Sequence, residues 1–171
     1  TLAKNYQIKQ DFLQAQLLVG DARQTIQQIH QRGFLADAVF LNPFSPPHCP
    51  QLWTIEFLKQ IACCLRPTGR VATYSCAAAV RTALLSAGLH IGSTQPVGRR
   101  SPGTVASPSL IDLPPLSPQE QEHLATRAAI PYRDPELKDS MEAILHRRCV
   151  EQRACSLENT SRWKKRWFNH L

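Results

Sequence analysis

The chain has 171 residues, a length that predicts one domain with room for an appendage. Hydrophobic residues make up 43% of it, enough for a packed core, which argues against a disordered chain. No run approaches the roughly 18 apolar residues of a membrane span, and no signal segment opens the sequence, so we expect a soluble, cytoplasmic protein with no membrane partner. The net charge of +7 allows a polyanionic partner without identifying one.

Strand and helix patterns alternate along the first half of the chain. Five short apolar segments are predicted to be strands: residues 13–19, 36–41, 70–75, 89–96 and 103–107. Three segments with helical spacing or a closing glycine are predicted to be helices: residues 23–32, 50–65 and 77–87. Such alternation predicts an α/β fold with a mostly parallel sheet. The last two strands have no helix between them, so we expect an antiparallel edge.

The sequence changes character near residue 108, where a proline-rich linker begins. Ser117 and Glu120 match the two ends of a helix capping box, so a helix is expected to start there. Another helix is predicted at residues 136–153. We therefore divide the chain into a domain at residues 1–108 and a helical, basic extension at 109–171.

The tail at residues 162–167 is the densest basic cluster and mixes cations with tryptophans. This composition suits RNA, but it is equally consistent with an amphipathic helix that lays its aromatic rings on the domain. The six cysteines lack the spacing of a disulfide scaffold, so reduced thiols are expected. His146, Cys149 and Cys155 resemble half a zinc site, but no second ligand pair follows, so no metal site is predicted.

Polar residues follow three of the predicted strands: Asp21 after the first, Asn42 after the second and Ser75 after the third. Ligands of open α/β sheets bind at the carboxyl ends of the strands, so we expect one crevice there. The Asn42 side-chain oxygen and the neighbouring backbone carbonyl can accept hydrogen bonds from an amine. Pro43 fixes the backbone, and Phe44 can pack on a flat substrate. This combination suits an enzyme that positions an amine beside an electrophilic methyl group.

Five segments in order resemble the MnmC-type tRNA methyltransferase domain. They read DAVFLNPFSP at 37–46, PQLWTIEFL at 50–58, GRVATYS at 69–75, VRTALLSAG at 80–88 and GRR at 98–100. The resemblance covers residues 13–107, and AIPYRDP at 129–135 extends it. It implies a partial Rossmann-like, class I methyltransferase sheet with helices on both faces and a helical C-terminal extension. It also implies methylation of the amine of 5-aminomethyl-2-thiouridine, the modified wobble uridine of tRNA, with S-adenosylmethionine as cofactor.

The resemblance also implies roles for individual residues. Asp21, followed by Ala22, matches the family's acidic position near the cofactor adenine, and Asn42 adjoins both the cofactor and the substrate amine. Pro43 and Phe44 complete the catalytic loop. The expected substrate or RNA contacts are Ser45, Tyr74, Ser75, Arg99 and Arg100. From the residues alone, Asp21 is as consistent with a helix cap as with a ligand, and the arginine pair could be a solvated surface pair.

Two departures from the family pattern leave the activity open. The first 35 residues contain no glycine-rich cofactor turn, so a missing N-terminal segment or a dimer is expected to complete the sheet. Asn42 stands where the family has an aspartate, and an amide is neither charged nor a base. An alkylamine with a pKa near 10.4 is mostly protonated at neutral pH, so a lower rate is expected. The alternative is a catalytically inactive RNA-binding or scaffold remnant.

Overall fold

The computed structural model describes residues 2–98 and 100–168; Arg99, one of the predicted RNA contacts, lies outside them. The strands are β1 (Gln7–Gln10), β2 (Leu13–Gln16), β3 (Ala36–Leu41), β4 (Leu65–Thr73), β5 (His90–Thr94) and β6 (Gly103–Ser107). The helices are α1 (Leu2–Asn5), α2 (Ala22–Gln31), α3 (Ile55–Cys63), α4 (Ala78–Ser86), α5 (Pro118–His123), α6 (Met141–Ala154) and α7 (Thr160–Phe168). Two 3-10 turns lie at Pro50–Trp53 and Arg127–Ala129.

The centre of the fold is a four-stranded mixed sheet in the order β3–β4–β6–β5. β3 and β4 are parallel, whereas β6 runs antiparallel to both β4 and β5. The predicted α/β class and the antiparallel pairing of the last two strands are confirmed. Because β5 runs in the same direction as β3 and β4, the carboxyl ends of all three strands lie at one edge of the sheet, which we call the carboxyl edge.

The first predicted strand differs from the expectation. β2 ends at Gln16 and pairs with β1 in a separate antiparallel hairpin, and in the described part of the chain it does not join the central sheet. Leu17 and Val19 follow it with 40% and 73% of their surface exposed. An apolar run therefore indicated a buried strand where the chain has a hairpin followed by an exposed connection.

β3 is an edge strand of the central sheet. Val39 and Leu41 point into the core, whereas Phe40 between them is 84% exposed. Parallel strands are normally covered on both faces, and an exposed edge strand offers unpaired backbone groups to other chains. In the described residues, this strand is open both along its free edge and on the face that carries Phe40.

The core lies where helices α3 and α4 pack against the sheet. The predicted stripe of apolar residues along the second predicted helical segment, residues 50–65, is buried: Trp53, Phe57, Ile61 and Leu65. The helix itself begins later than predicted, because Thr54 accepts a hydrogen bond from the Phe57 backbone nitrogen and caps α3 after the Pro50–Trp53 turn. Burying four such side chains contributes about 2 kcal/mol each to the free energy of unfolding.

The residues after 108, for which the name C-terminal extension is kept, pack against the preceding part of the chain. The backbone nitrogen of Ile55 donates to the Tyr132 carbonyl across 3.1 Å, and the predicted capping box of Ser117 and Glu120 is present at the start of α5. In α7, Trp163 is buried, so the amphipathic interpretation of the tail describes this helix. No helix within residues 2–98 and 100–168 is long and apolar enough to cross a membrane.

Candidate functional site

Two side chains hold the loop that follows β3. The Tyr74 hydroxyl donates to the Pro43 carbonyl oxygen across 3.0 Å, and the Trp53 Nε1 donates to the Phe44 carbonyl oxygen across 2.8 Å. The two rings meet edge to face, with centroids 6.2 Å apart. The sequence folds in this way because Pro43 ends the strand and restricts the backbone, which leaves the following carbonyls free to accept side-chain donors.

The same loop presents Asn42 and Phe44 to solvent. Phe44 is 81% exposed, and the amide of Asn42 makes no hydrogen bond to any part of the chain that the structure describes. The loop borders a cavity of about 630 Å³ lined by Asn42, Pro43, Phe44, Ser45, Cys49, Leu52 and Tyr74. The predicted catalytic trio therefore lies together at the carboxyl edge, with its amide available to a ligand.

The next turn of the loop is held by internal contacts. The Ser45 hydroxyl and His48 Nδ1 lie 2.7 Å apart in hydrogen-bond contact, and the Ser45 carbonyl accepts from the backbone nitrogens of His48 and Cys49. Burial raises the pKa of the Cys49 thiol, so this cysteine is a poor nucleophile at neutral pH. Within the described residues, the cavity lining contains no carboxylate that could act as a base.

Ser75, a predicted substrate contact, is buried instead of lining the Asn42 cavity. Its carbonyl oxygen accepts from the Thr104 hydroxyl across 2.7 Å, and its hydroxyl accepts from the Ala77 backbone nitrogen across 3.4 Å. These contacts join the end of β4 to β6 and to the start of α4. The buried Ser75 therefore stabilises the carboxyl edge through these hydrogen bonds.

Asp21 caps α2 and does not line the Asn42 cavity. Its carboxylate accepts from the Arg23 backbone nitrogen across 2.9 Å and from the Arg23 guanidinium across 2.8 Å, and the side-chain hydrogen bond from Arg23 lowers the pKa of Asp21. Ala22 is half-buried in the first turn of the helix. Asp21 borders a separate cavity of about 350 Å³ that also contacts Gly20 and Tyr6. The crevice predicted to contain Asp21, Asn42 and Ser75 is therefore not a single cavity in this chain.

Arg23 connects Asp21 to the C-terminal extension. Its Nη1 donates to the Asp134 carboxylate across 2.7 Å and to the Asp139 carbonyl oxygen across 2.9 Å. Asp134 is fully buried, and it also accepts from the backbone nitrogens of Lys138 and Asp139. No local pattern in the sequence indicates this contact, and its one signal is that the family resemblance extends to residues 129–135.

Arg100 is exposed on the connection between β5 and β6. It borders a second cavity at the carboxyl edge, with a volume of about 860 Å³, between the sheet and the C-terminal extension. In the described part of the chain, Arg100 makes no ion pair, so its charge is free to meet an anion. The two cavities are separated by the turn that contains Ser75.

The model of a family described as S-adenosyl-L-methionine-dependent methyltransferase matches residues 1–109. The chain belongs to this family. Among curated relatives, the chain is 41% identical over 75 residues to the tRNA 5-methylaminomethyl-2-thiouridine biosynthesis bifunctional protein MnmC of Paracidovorax citrulli, a match that covers 44% of this chain and 11% of that protein. It is 32% identical over 146 residues to an uncharacterized protein of Methanocaldococcus jannaschii, covering 82% of this chain and 39% of the relative.

The fold of this methyltransferase-family chain matches a solved relative, MnmC2 from Aquifex aeolicus, with a TM-score of 0.82 and 33% sequence identity. The match covers 90% of this chain and 50% of the other. The chain therefore spans half of the solved relative and a smaller share of the curated relatives. This agreement confirms the resemblance to the MnmC-type methyltransferase domain.

Proposed function

We propose that this chain forms the acceptor-binding part of an S-adenosylmethionine-dependent methyltransferase that acts on the aminomethyl group of the modified wobble uridine in tRNA. The observation that carries the proposal is the Asn42–Pro43–Phe44 loop, which Tyr74 and Trp53 fix at the carboxyl end of β3. The substrate class is supported by the relatives named for tRNA 5-methylaminomethyl-2-thiouridine biosynthesis.

The loop contributes position rather than proton transfer. The Asn42 side-chain oxygen accepts a hydrogen bond from the substrate amine, and the exposed Phe44 ring packs on the face of the uracil base. The amine attacks with its lone pair, so it must first lose a proton, and without a carboxylate in the cavity lining this proton passes to solvent. Holding the reacting atoms in line supplies a large share of the rate of such a transfer.

The cofactor fits one side of this arrangement. The Asn42 cavity is bordered mainly by carbon atoms and has room for an adenosyl group beside the amide. The resemblance implies that Asp21 and Ala22 lie beside the adenine, but Asp21 borders a different cavity from Asn42 and its carboxylate already holds Arg23, so the cofactor would have to reach from the Asn42 cavity to the start of α2. When bound, S-adenosylmethionine supplies the electrophilic methyl group. Asn42, Phe44 and the half-exposed Asp21 are the residues of this chain that would contact it.

The tRNA is expected to contact the carboxyl edge. Arg100 has no ion-pair partner among the residues that the structure describes, and a net charge of +7 favours a polyanion. The predicted contacts Ser45 and Tyr74 lie beside Asn42, although both already make hydrogen bonds within the loop. They would shape the acceptor pocket more than they would bind the RNA backbone.

The open edge of β3 supports a further part of the proposal. Additional strands, from a preceding segment or from a second copy of the chain, would pair with this edge and cover Phe40. Light scattering on a sizing column separates the two sources, because a dimer doubles the mass of the 171-residue chain. If the protein is a monomer, any strands that pair with β3 must come from its own polypeptide.

The function is tested with methyl-labelled S-adenosylmethionine and tRNA that carries 5-aminomethyl-2-thiouridine. We expect label in the tRNA with the full-length gene product, no label when the tRNA lacks the aminomethyl group, and a large loss with Asn42→Ala. Calorimetric titration of the 171-residue chain with the cofactor is the companion measurement. RNA binding without cofactor binding and without methyl transfer would replace this function by that of an inactive RNA-binding remnant.

A further inference from the structure

A second cavity borders the C-terminal extension rather than the Asn42 loop. Its volume is about 860 Å³, and it lies at the carboxyl edge between the end of β5, the connection before β6, and helices α5 and α7. Four prolines form part of its wall: Pro96, Pro102, Pro115 and Pro118. Because proline restricts the backbone, this wall is largely shaped before a ligand arrives, which lowers the entropy cost of binding.

A neutralised ion pair forms the bottom of the cavity. Arg81 Nη2 donates to the Glu120 carboxylate across 2.8 Å, and the Ser93 hydroxyl donates to the same oxygen across 2.7 Å. Arg81 is 2% exposed, and its Nε also donates to the Thr104 hydroxyl across 3.0 Å. The two charges compensate each other, so the bottom of the cavity neither attracts nor repels an anion.

Aromatic rings form one side of the cavity. His123 and Trp163 stack with centroids 4.1 Å apart and planes 9° apart, and Phe168 meets Trp163 edge to face at 5.7 Å. Burial, followed by the charges of Arg81 and Lys164, lowers the pKa of His123, so this imidazole is neutral at pH 7. Phe168 is half exposed, so one part of its ring can accept a further planar partner.

Arg100 supplies an exposed positive charge in the lining of the cavity. Lys164 lies outside the lining but is close enough to His123 to lower the pKa of that imidazole. Neither cation has an ion-pair partner among the described residues. Among the described residues of the lining, Glu120 carries the one carboxylate, and it is already paired with Arg81. Within the described residues, the cavity therefore combines a half-exposed aromatic ring, Phe168, with the unpaired guanidinium of Arg100.

We propose that this cavity binds an unstacked base of single-stranded RNA, with the base against Phe168 and its phosphate on Arg100. Aromatic rings beside a positively charged groove are the arrangement by which proteins hold single strands without reading their sequence. The inference rests on the proposed function, because the strand is then the tRNA loop whose target nucleotide lies at Asn42 on the same edge of the sheet. The cavity would bind a nucleotide next to the target and so hold the target nucleotide at Asn42.

The test measures binding of fluorescein-labelled single-stranded oligouridine, twelve nucleotides long, by fluorescence anisotropy at several salt concentrations. Phe168→Leu removes the π-face and keeps an apolar side chain, so we expect binding to weaken about tenfold. Arg100→Gln removes one phosphate contact, so the slope of log K against log salt should decrease by about 0.7. Phe12→Leu and Arg153→Gln are the matched controls, because both residues are exposed and outside the cavity, and both should bind as the unchanged protein does.

The outcomes separate this inference from the proposed function. Unchanged binding in Phe168→Leu, equal binding of an RNA duplex, or no binding of the oligonucleotide overturns the inference, even if methyl transfer is observed. Loss of binding in Phe168→Leu together with a smaller salt slope in Arg100→Gln supports it, even if no methyl group enters the tRNA. A melting curve of each variant checks that the fold is retained, and Phe168→Trp should restore binding.

Discussion

The hydroxyl of Tyr74 donates to the carbonyl oxygen of Pro43 across 3.0 Å and so ties the end of β4 to the loop after β3. β3 and β4 are neighbours in the sheet, so this contact joins their carboxyl ends. The Trp53 indole, in the Pro50–Trp53 turn, holds the same loop through the Phe44 carbonyl oxygen. The position of Asn42 therefore depends on a residue 32 places further along the chain as much as on its own backbone.

Tyr74→Phe should loosen this loop while leaving the ring contact with Trp53 in place. Loss of the hydrogen bond is expected to lower the free energy of unfolding by about 1 kcal/mol. Local opening should then expose the bond after Phe44 to chymotrypsin more often. Urea unfolding and mass spectrometry of the first cleavage products measure the two effects. Tyr6→Phe is the control, because Tyr6 is exposed and its hydroxyl makes no hydrogen bond among the described residues.

Asn42→Asp tests the chemistry of the acceptor loop. A carboxylate attracts the protonated amine and can remove its proton, which the amide cannot do. We expect methyl transfer by the full-length protein to become faster, by up to about 100-fold, the lower range for a positioned base. Asn42→Ala should be slower than the unchanged protein. If Asn42→Asp leaves the rate unchanged, deprotonation of the amine does not limit the reaction.

The loop and the core helices could be predicted because their signals are local. Asn42 and Pro43 directly follow an apolar run, and the spacing of Trp53, Phe57 and Ile61 repeats every four residues. Ser117 and Glu120 are three residues apart and form the capping box that this spacing predicts. The capping box and the helical stripe join residues that are close along the chain, so secondary-structure preference determines their geometry. The place of the loop in the sequence could be predicted for the same reason, but the contacts from Tyr74 and Trp53 that hold it could not.

The contacts that hold Asp21 away from the Asn42 cavity could not be predicted from local sequence. Arg23 and Asp134 are 111 residues apart, and neither residue type indicates which partner it will meet. Residues 13–19 have the composition of a buried strand, but the composition does not specify that β2 pairs with β1 instead of the central sheet. Tertiary pairing decides such cases, because a short apolar segment can be satisfied by more than one neighbour.

Arg81→Met should destabilise the protein by about 3–5 kcal/mol, because it leaves the Glu120 carboxylate without its partner in a largely buried position. The double variant Arg81→Met with Glu120→Gln should recover part of that loss, since no uncompensated charge remains. Urea unfolding at pH 7 measures both. Equal stability of the single and double variants would show that the charge of Glu120 is solvated in the absence of Arg81.

The same ion pair predicts a pH dependence. Burial would raise the pKa of Glu120, but hydrogen bonds from Ser93, Ser117 and Arg81 lower it from 4.5 to about 2. Because the folded-state pKa lies below the unfolded-state value, the stabilisation is complete above pH 4.5 and is lost as the pH falls toward 2. The stability gap between the unchanged protein and Glu120→Gln should therefore be smaller at pH 3 than at pH 6.

Glu136→Gln is the control for this pH comparison, because Glu136 is exposed and its Oε2 lies 3.7 Å from Lys138 Nζ on the surface. Exposed pairs of this kind contribute between 0 and about 1 kcal/mol. The free energy of unfolding of Glu136→Gln should therefore stay close to that of the unchanged protein at both pH 3 and pH 6. A gap for Glu120→Gln that is as large at pH 3 as at pH 6 would contradict the pairing with Arg81.

Asp134→Asn tests whether the C-terminal extension holds Asp21 in place. The amide keeps one oxygen for the backbone nitrogens of Lys138 and Asp139, but it removes the charge that faces Arg23. With Asp134 fully buried and Arg23 nearly so, we expect a loss of about 3 kcal/mol in urea unfolding. Asp37→Asn, which breaks an exposed pair with Arg66, should cost less than about 1 kcal/mol. Arg23 also binds Asp21, so Asp134→Asn should disturb Asp21 and weaken cofactor binding. Calorimetric titration should show a larger loss of affinity for Asp134→Asn than for Asp37→Asn. Equal affinities of the two variants would show that Asp21 does not belong to the cofactor site.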